Sequence, residues 1–161
     1  MTSRFLNKNK FLLAFVSISI IGLLLSCKKD SNDYQISYTS NNSTSTTWNS
    51  DKINAIIRTD TLLLTGQKDD KSSIAIIVSS SSVGNYEMSV SDLKTVIAID
   101  KDGSKSKESQ FISVDGVVSI FENNKDKKYI RGSFEVNVIN LANINAKEKV
   151  QGNFTSKYKE Y

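Results

Sequence analysis

From Asp51 to the C-terminus apolar residues recur at alternate positions, and no twelve-residue stretch carries the three-and-four spacing of an amphipathic helix. Ile53, Ala55 and Ile57 alternate with Asn54, Ile56 and Arg58, which predicts a half-buried strand. Thr61 to Gly66 forms a second short run after Thr59-Asp60. Ser73 to Val78 is nearly continuous in apolar residues and reads as a strand covered on both faces. Tyr86 to Met88 and Lys94 to Ile99 add two more, with a charged loop from Asp100 to Lys107. Phe111 to Val114 and Val117 to Phe121 flank Asp115-Gly116, the strongest short-range hairpin signal in the chain. Ile130-Arg131-Gly132-Ser133-Phe134 and Val150-Gln151-Gly152-Asn153-Phe154 then echo each other. In each, alternation puts the aliphatic residue, the glycine and the phenylalanine on one face. A glycine there makes room for an aromatic ring or a crossing strand. Ile130, Phe134, Val136, Val138, Val150 and Phe154 are therefore expected in the core, with Arg131, Ser133, Glu135 and Asn137 in water. The fold expected is all-β: an antiparallel meander of about nine short strands closing into a barrel or folding into a sandwich.

The pattern changes before residue 48. Arg4, Lys8 and Lys10 precede fifteen uncharged residues, Phe11 to Leu25, and Ser26 stands just before Cys27. A basic start, a short apolar run and a small residue at the cut mark a secretory signal peptide. Fifteen helical residues reach roughly 22 Å, less than the ~30 Å hydrocarbon core that a permanent span must cross. Residues 28–49 are rich in Ser, Thr and Asn, too polar to offset the entropy of ordering them. Tyr34, Ile36 and Tyr38 alternate within this stretch and read either as a transient strand or as a sticky spot in a linker. The expected division is a signal peptide at 1–26, a tether at 27–47 and a β domain at 48–161.

Composition narrows the chemistry. The chain carries 21 basic and 17 acidic residues, and loss of the three basic residues of the leader takes the net charge from +4 to +1. The electrostatic case for nucleic-acid binding goes with it. There is no histidine, hence neither the usual general base nor the commonest metal ligand. Cys27 is the single cysteine, so the chain forms no internal disulfide. Proline is absent, which leaves edge strands to be protected by charge and shortness.

Leu24-Leu25-Ser26-Cys27 resembles the lipobox of bacterial lipoproteins. The resemblance implies that Cys27 becomes the first mature residue, that its sulfur takes a diacylglyceryl group and that its amine is acylated. Several acyl chains would anchor the protein to a lipid bilayer stably, where a single myristoyl chain binds only marginally. Lys28, Lys29 and Asp30 resemble in part the surface-export signal of Bacteroidetes lipoproteins; a solvated charged leader is the equal alternative. Residues 48–158 are similar to a family of small uncharacterised Bacteroidetes β-rich lipoproteins. The similarity rests on Leu62-Leu63-Leu64-Thr65-Gly66, Gly84-Asn85-Tyr86, Asp115-Gly116-Val117-Val118, Arg131-Gly132-Ser133-Phe134 and Gln151-Gly152-Asn153-Phe154. These are turns and glycines, so the similarity speaks to fold and transfers no catalytic residue.

Other motifs favour structural readings. Asp100-Lys101-Asp102-Gly103 resembles the start of a calcium loop, but Lys105 and Phe111 stand where an EF-hand needs glycine and glutamate. Ser91-Asp92-Leu93-Lys94 and Ser104-Lys105-Ser106-Lys107 match Ser-x-x-Lys without the helix start and companion motifs that such catalysis needs. Glu87, Glu122 and Glu135 are the carboxylates to consider as a glycosidase pair, and outward solvated positions are the default. Lys125-Asp126-Lys127-Lys128 reads as a hairpin loop, with headgroup or glycan contact as the minority alternative. Trp48 reads as a first core residue rather than a sugar-stacking platform.

The expectation is a lipid-anchored outer-membrane lipoprotein, facing periplasm or cell surface. It is read as a non-enzymatic binding or scaffolding module without cofactor, metal site or nucleic-acid partner. A glycan or protein partner is left open. The alternative is a lipocalin-like carrier of a small apolar ligand.

Overall fold

A computed structural model describes residues 34–41, 47–89 and 94–161. The lipobox, Cys27 and Ser91 to Leu93 lie outside the described residues. Within them the chain is all-β and mostly antiparallel. The strands are β1 (Gln35–Ser40), β2 (Trp48–Asn49), β3 (Lys52–Arg58), β4 (Thr61–Gln67), β5 (Ser73–Val78) and β6 (Gly84–Ser89). They continue with β7 (Thr95–Asp100), β8 (Gln110–Asn124), β9 (Tyr129–Asn140), β10 (Lys147–Lys157) and β11 (Lys159–Glu160). The sheet runs β11-β3-β4-β5-β7-β8-β9-β10-β1-β2, with β6 added along β8 and β11 parallel to β3.

The two sides of this order meet through the chain itself, because β2 and β3 are consecutive. Ser50 and Asp51 join them. Ser50 N–H donates to the Ile36 carbonyl at 2.9 Å, and Ile36 N–H donates to Ser50 Oγ at 2.9 Å. Asp51 N–H donates to the Gln67 carbonyl at 2.9 Å. One bent segment is thus held by β1 on one flank and by β4 on the other, and the sheet curls into a half-barrel around its apolar face.

The inward residues obey the period of two. Ala55, Ile57, Leu62, Leu64, Ile74, Ile76, Ile97, Ile99, Val118, Ile120, Ile130, Phe134, Val136, Val138, Val150 and Phe154 are all buried. The echoed glycines explain themselves by register. Phe134 stands opposite Gly152, and Phe154 opposite Gly132. A Cβ on Gly132 would lie 2.4 Å from the Phe154 ring and 2.2 Å from the Ser119 carbonyl. A Cβ on Gly152 would lie 2.5 Å from the Phe134 ring and 2.2 Å from the Ser37 carbonyl. Each ring lies across the glycine of the neighbouring strand, so a side chain at either glycine would displace both a ring and a strand.

Three expectations are corrected. The domain begins before residue 48: β1 is a full strand, Ile36 is completely buried, and Tyr38 stacks on Trp48 at 5.1 Å between centroids. The alternation of Tyr34, Ile36 and Tyr38 is stabilised by β10, a partner more than a hundred residues away and invisible to local composition. Asp115-Gly116 is not a hairpin turn. β8 runs straight through it for 15 residues, with a bulge between Ser113 and Asp115 and Gly116 at φ +124°. There β8 lies between β6 and β9, and a Cβ on Gly116 would stand 2.3 Å from the Glu135 carbonyl. Pairing on both edges overrides the local turn preference, and the described strands number eleven. β5, finally, is not covered on both faces by described residues, since Ile77 remains 38% exposed on its outer side.

Candidate functional site: a graded groove on the outer face of the sheet

The outer faces of β3, β4, β5, β7 and β8 form a groove of about 620 Å³, a size usual for small-molecule sites. Strand register sorts its floor by polarity. Lys52, Gln67, Ser73, Asp100 and Gln110 make a polar row across five strands. Two residues along each strand, Asn54, Thr65, Ala75, Ala98 and Ile112 make a middle row. One further step brings an apolar row, Ile56, Leu63, Ile77 and Val96, which continues the same face beyond the groove. Each step along the strands is roughly 7 Å, and five strands span roughly 19 Å. The small side chains of Ala75 and Ala98 keep the middle of the floor low. Leu141 rises at one flank, anchored by its N–H to the Gln110 carbonyl at 2.9 Å, and Lys105 overhangs the polar end.

The loop that carries Lys105 is built around Asp100. Its carboxylate accepts from Gly103 N–H at 3.0 Å, Lys105 N–H at 3.1 Å and Ser109 Oγ at 2.8 Å. The Asp100-Lys101-Asp102-Gly103 stretch is therefore a self-capped surface loop, its key carboxylate turned onto its own backbone. No group of three His, Cys, Asp or Glu among the described residues is placed to hold a metal. Ser104 lies in this same loop, not at a helix start, and gives its hydroxyl proton to Ser109 Oγ at 3.1 Å.

The other singled-out residues are dispersed. Trp48 packs on the core, and its Nε1–H donates to Ser72 Oγ at 2.8 Å. Glu122 pairs with Arg131, Glu135 pairs with Lys149, and Glu87 is exposed. Asn124 accepts from Lys127 N–H in the β8–β9 loop, a capped turn at the position expected of Lys125 to Lys128. Near one end of the sheet Glu148 accepts from Ser40 Oγ at 2.6 Å and from Lys101 Nζ, whose ammonium also lies 4.1 Å over the Phe111 ring. Burial first, then the Glu148 and Asp70 charges, push the Tyr38 hydroxyl far above its usual range.

Residues 32–157 match the family model described as Domain of unknown function (DUF6252). The chain belongs to the DUF6252 family. No curated protein and no solved structure matches it. The family match begins at residue 32, in keeping with β1 as part of the DUF6252 domain. The groove was missed in the sequence because its residues are spread over five strands. The one local signal was Ser73 to Val78, apolar on both sides of the strand.

Proposed function

We propose that this protein is a lipid-anchored extracytoplasmic lipoprotein whose β domain is a non-catalytic binding module, with the outer-face groove as its binding site. The observation that carries the reading is the graded outer face, on which the groove's polar and mixed rows lead to an apolar row just beyond it. The anchor rests on the residues around Cys27, placing the protein at the outer membrane on the periplasmic or cell-surface side. In support of a binding role, the chain has no histidine, and two of its three candidate carboxylates are paired with surface cations. The lipocalin-like alternative needs a chamber inside the sheet. Phe134, Phe154, Leu62 and Leu64 fill the described interior, and the groove opens on the opposite face, so the outer face is preferred.

Two measurements test the two parts. Cys27→Ala should abolish acylation and leave the precursor unprocessed by mass spectrometry; an unchanged mature mass and membrane fraction would defeat the anchor. A fragment library screened by amide chemical shifts should perturb Ala75, Ala98 and Ile112. Hits confined to other surfaces would defeat the groove.

A further inference from the structure

We infer that the groove takes an amphiphile with an anionic head, seated parallel to the strands with its head on the polar row and its tail toward Ile77. This deepens the binding reading and rests on the groove being the site. The argument is one of direction. From the polar row of Lys52, Gln67 and Ser73, polarity falls through a mixed row of Asn54, Thr65, Ala75 and Ala98 to Leu63, Ile77 and Val96, beyond which Arg58 and Thr61 close the apolar row on the β3–β4 side. A ligand polar throughout would leave the last row unused, and one apolar throughout would strip water from Gln67, Ser73 and Gln110 without replacing their hydrogen bonds.

The sign of the head follows from the charges at the polar end. Lys52 and Lys105 border it on opposite sides, both exposed. Among the described residues neither ammonium is paired with a carboxylate. The only acid lining the groove is Asp100, and its oxygens already accept from Gly103, Lys105 and Ser109 within the loop. A carboxylate or phosphate placed over Gln67 and Ser73 therefore meets donors and two cations against the single charge of Asp100, a balance of +1 at the polar end. A cationic head meets like charge. The tail has roughly 14 Å from the polar row to the apolar row in which to lie extended, with Ala75 and Ala98 leaving room beneath it and Leu141 beside it.

The test uses three ten-carbon probes below micelle-forming concentration: decanoate, decanol and decyltrimethylammonium. Amide shifts of the mature protein should move at Ser73, Ala75, Ala98 and Ile77 on adding decanoate, with affinity about tenfold above decanol, the scale of a charge-assisted contact. Lys52→Gln with Lys105→Gln should erase that advantage, and Ala98→Glu should abolish decanoate binding. All three substituted positions are exposed, and folding is checked by the unperturbed core resonances of Ile76 and Val136. Equal binding of decanoate and decanol, or a double variant that keeps the preference, overturns the anionic head while fragment hits at Ala98 would still uphold the groove. Tighter binding of decyltrimethylammonium, or no shift in the groove with any probe, overturns the inference outright.

Discussion

The half of the sheet built from β9, β10 and β8 from Asp115 onward and the half built from β3, β4, β5, β7 and the start of β8 share one core and differ on the outside. On the first half the outer face is solvated and ionic: Glu122 pairs with Arg131, Glu135 with Lys149, and Asn137 bonds Asp115. On the second half the same face presents Ile56, Leu63, Ile77 and Val96 in one row and Ala75 and Ala98 in the next. Their inner faces differ in the opposite sense. β9 and β10 bury two phenylalanines over glycines, whereas β4, β5 and β7 bury only aliphatic side chains and Thr95 besides Gly66. Alternation thus decides which residues go inside on both halves, but it does not decide what the outside is for. An outer face that carries charge needs no partner. One that keeps apolar residues at the surface, in register and beside a polar border, has the composition of a binding surface.

The sharpest way to break the comparison is through the interior of the first half. Phe154→Ala should cost about 3–5 kcal/mol by leaving a cavity over Gly132, read from urea midpoints. Gly152→Ala should cost about 1–3 kcal/mol or more, because the new methyl meets both the Phe134 ring and the Ser37 carbonyl. A Gly152→Ala protein as stable as the parent would mean that the ring-over-glycine packing contributes nothing.

Next comes the alkaline limb. Tyr38 is held neutral in the fold by burial and by nearby acids, above its ordinary value of 10.0. The unfolded chain ionises first as pH rises, so the fold's advantage is complete below pH 10.0 and is lost above it. Urea midpoints taken from about pH 8 to about pH 11 should fall more steeply for the parent than for Tyr38→Phe. Parallel curves would remove Tyr38 as the cause.

The outer faces should give the smallest effects on stability. Breaking the exposed pair with Glu135→Gln should change stability by no more than about 1 kcal/mol. Ala98→Glu should stay within about 0.5 kcal/mol while occluding the groove. Calorimetry on the two variants checks both, and a large loss with Ala98→Glu would mean that the second half's outer face serves the fold and not a ligand.

Much of this architecture could be read before any coordinates. The period of two named the buried residues of β9 and β10, and Ala55 and Ile57 of β3, because a strand's side chains alternate whatever it pairs with, and the repeated aliphatic-x-Gly-x-Phe pattern named the two positions where side chains had to be absent. What alternation cannot contain is the identity of the partner. β10 turned a polar leader into β1, β6 and β9 drew Asp115-Gly116 into a straight strand, and five strands set side by side turned scattered outward residues into a graded floor. Each of those outcomes depends on pairing between segments far apart in the chain, where the free energy of a ladder and a shared core outweighs the weak local preference of a turn or a tether.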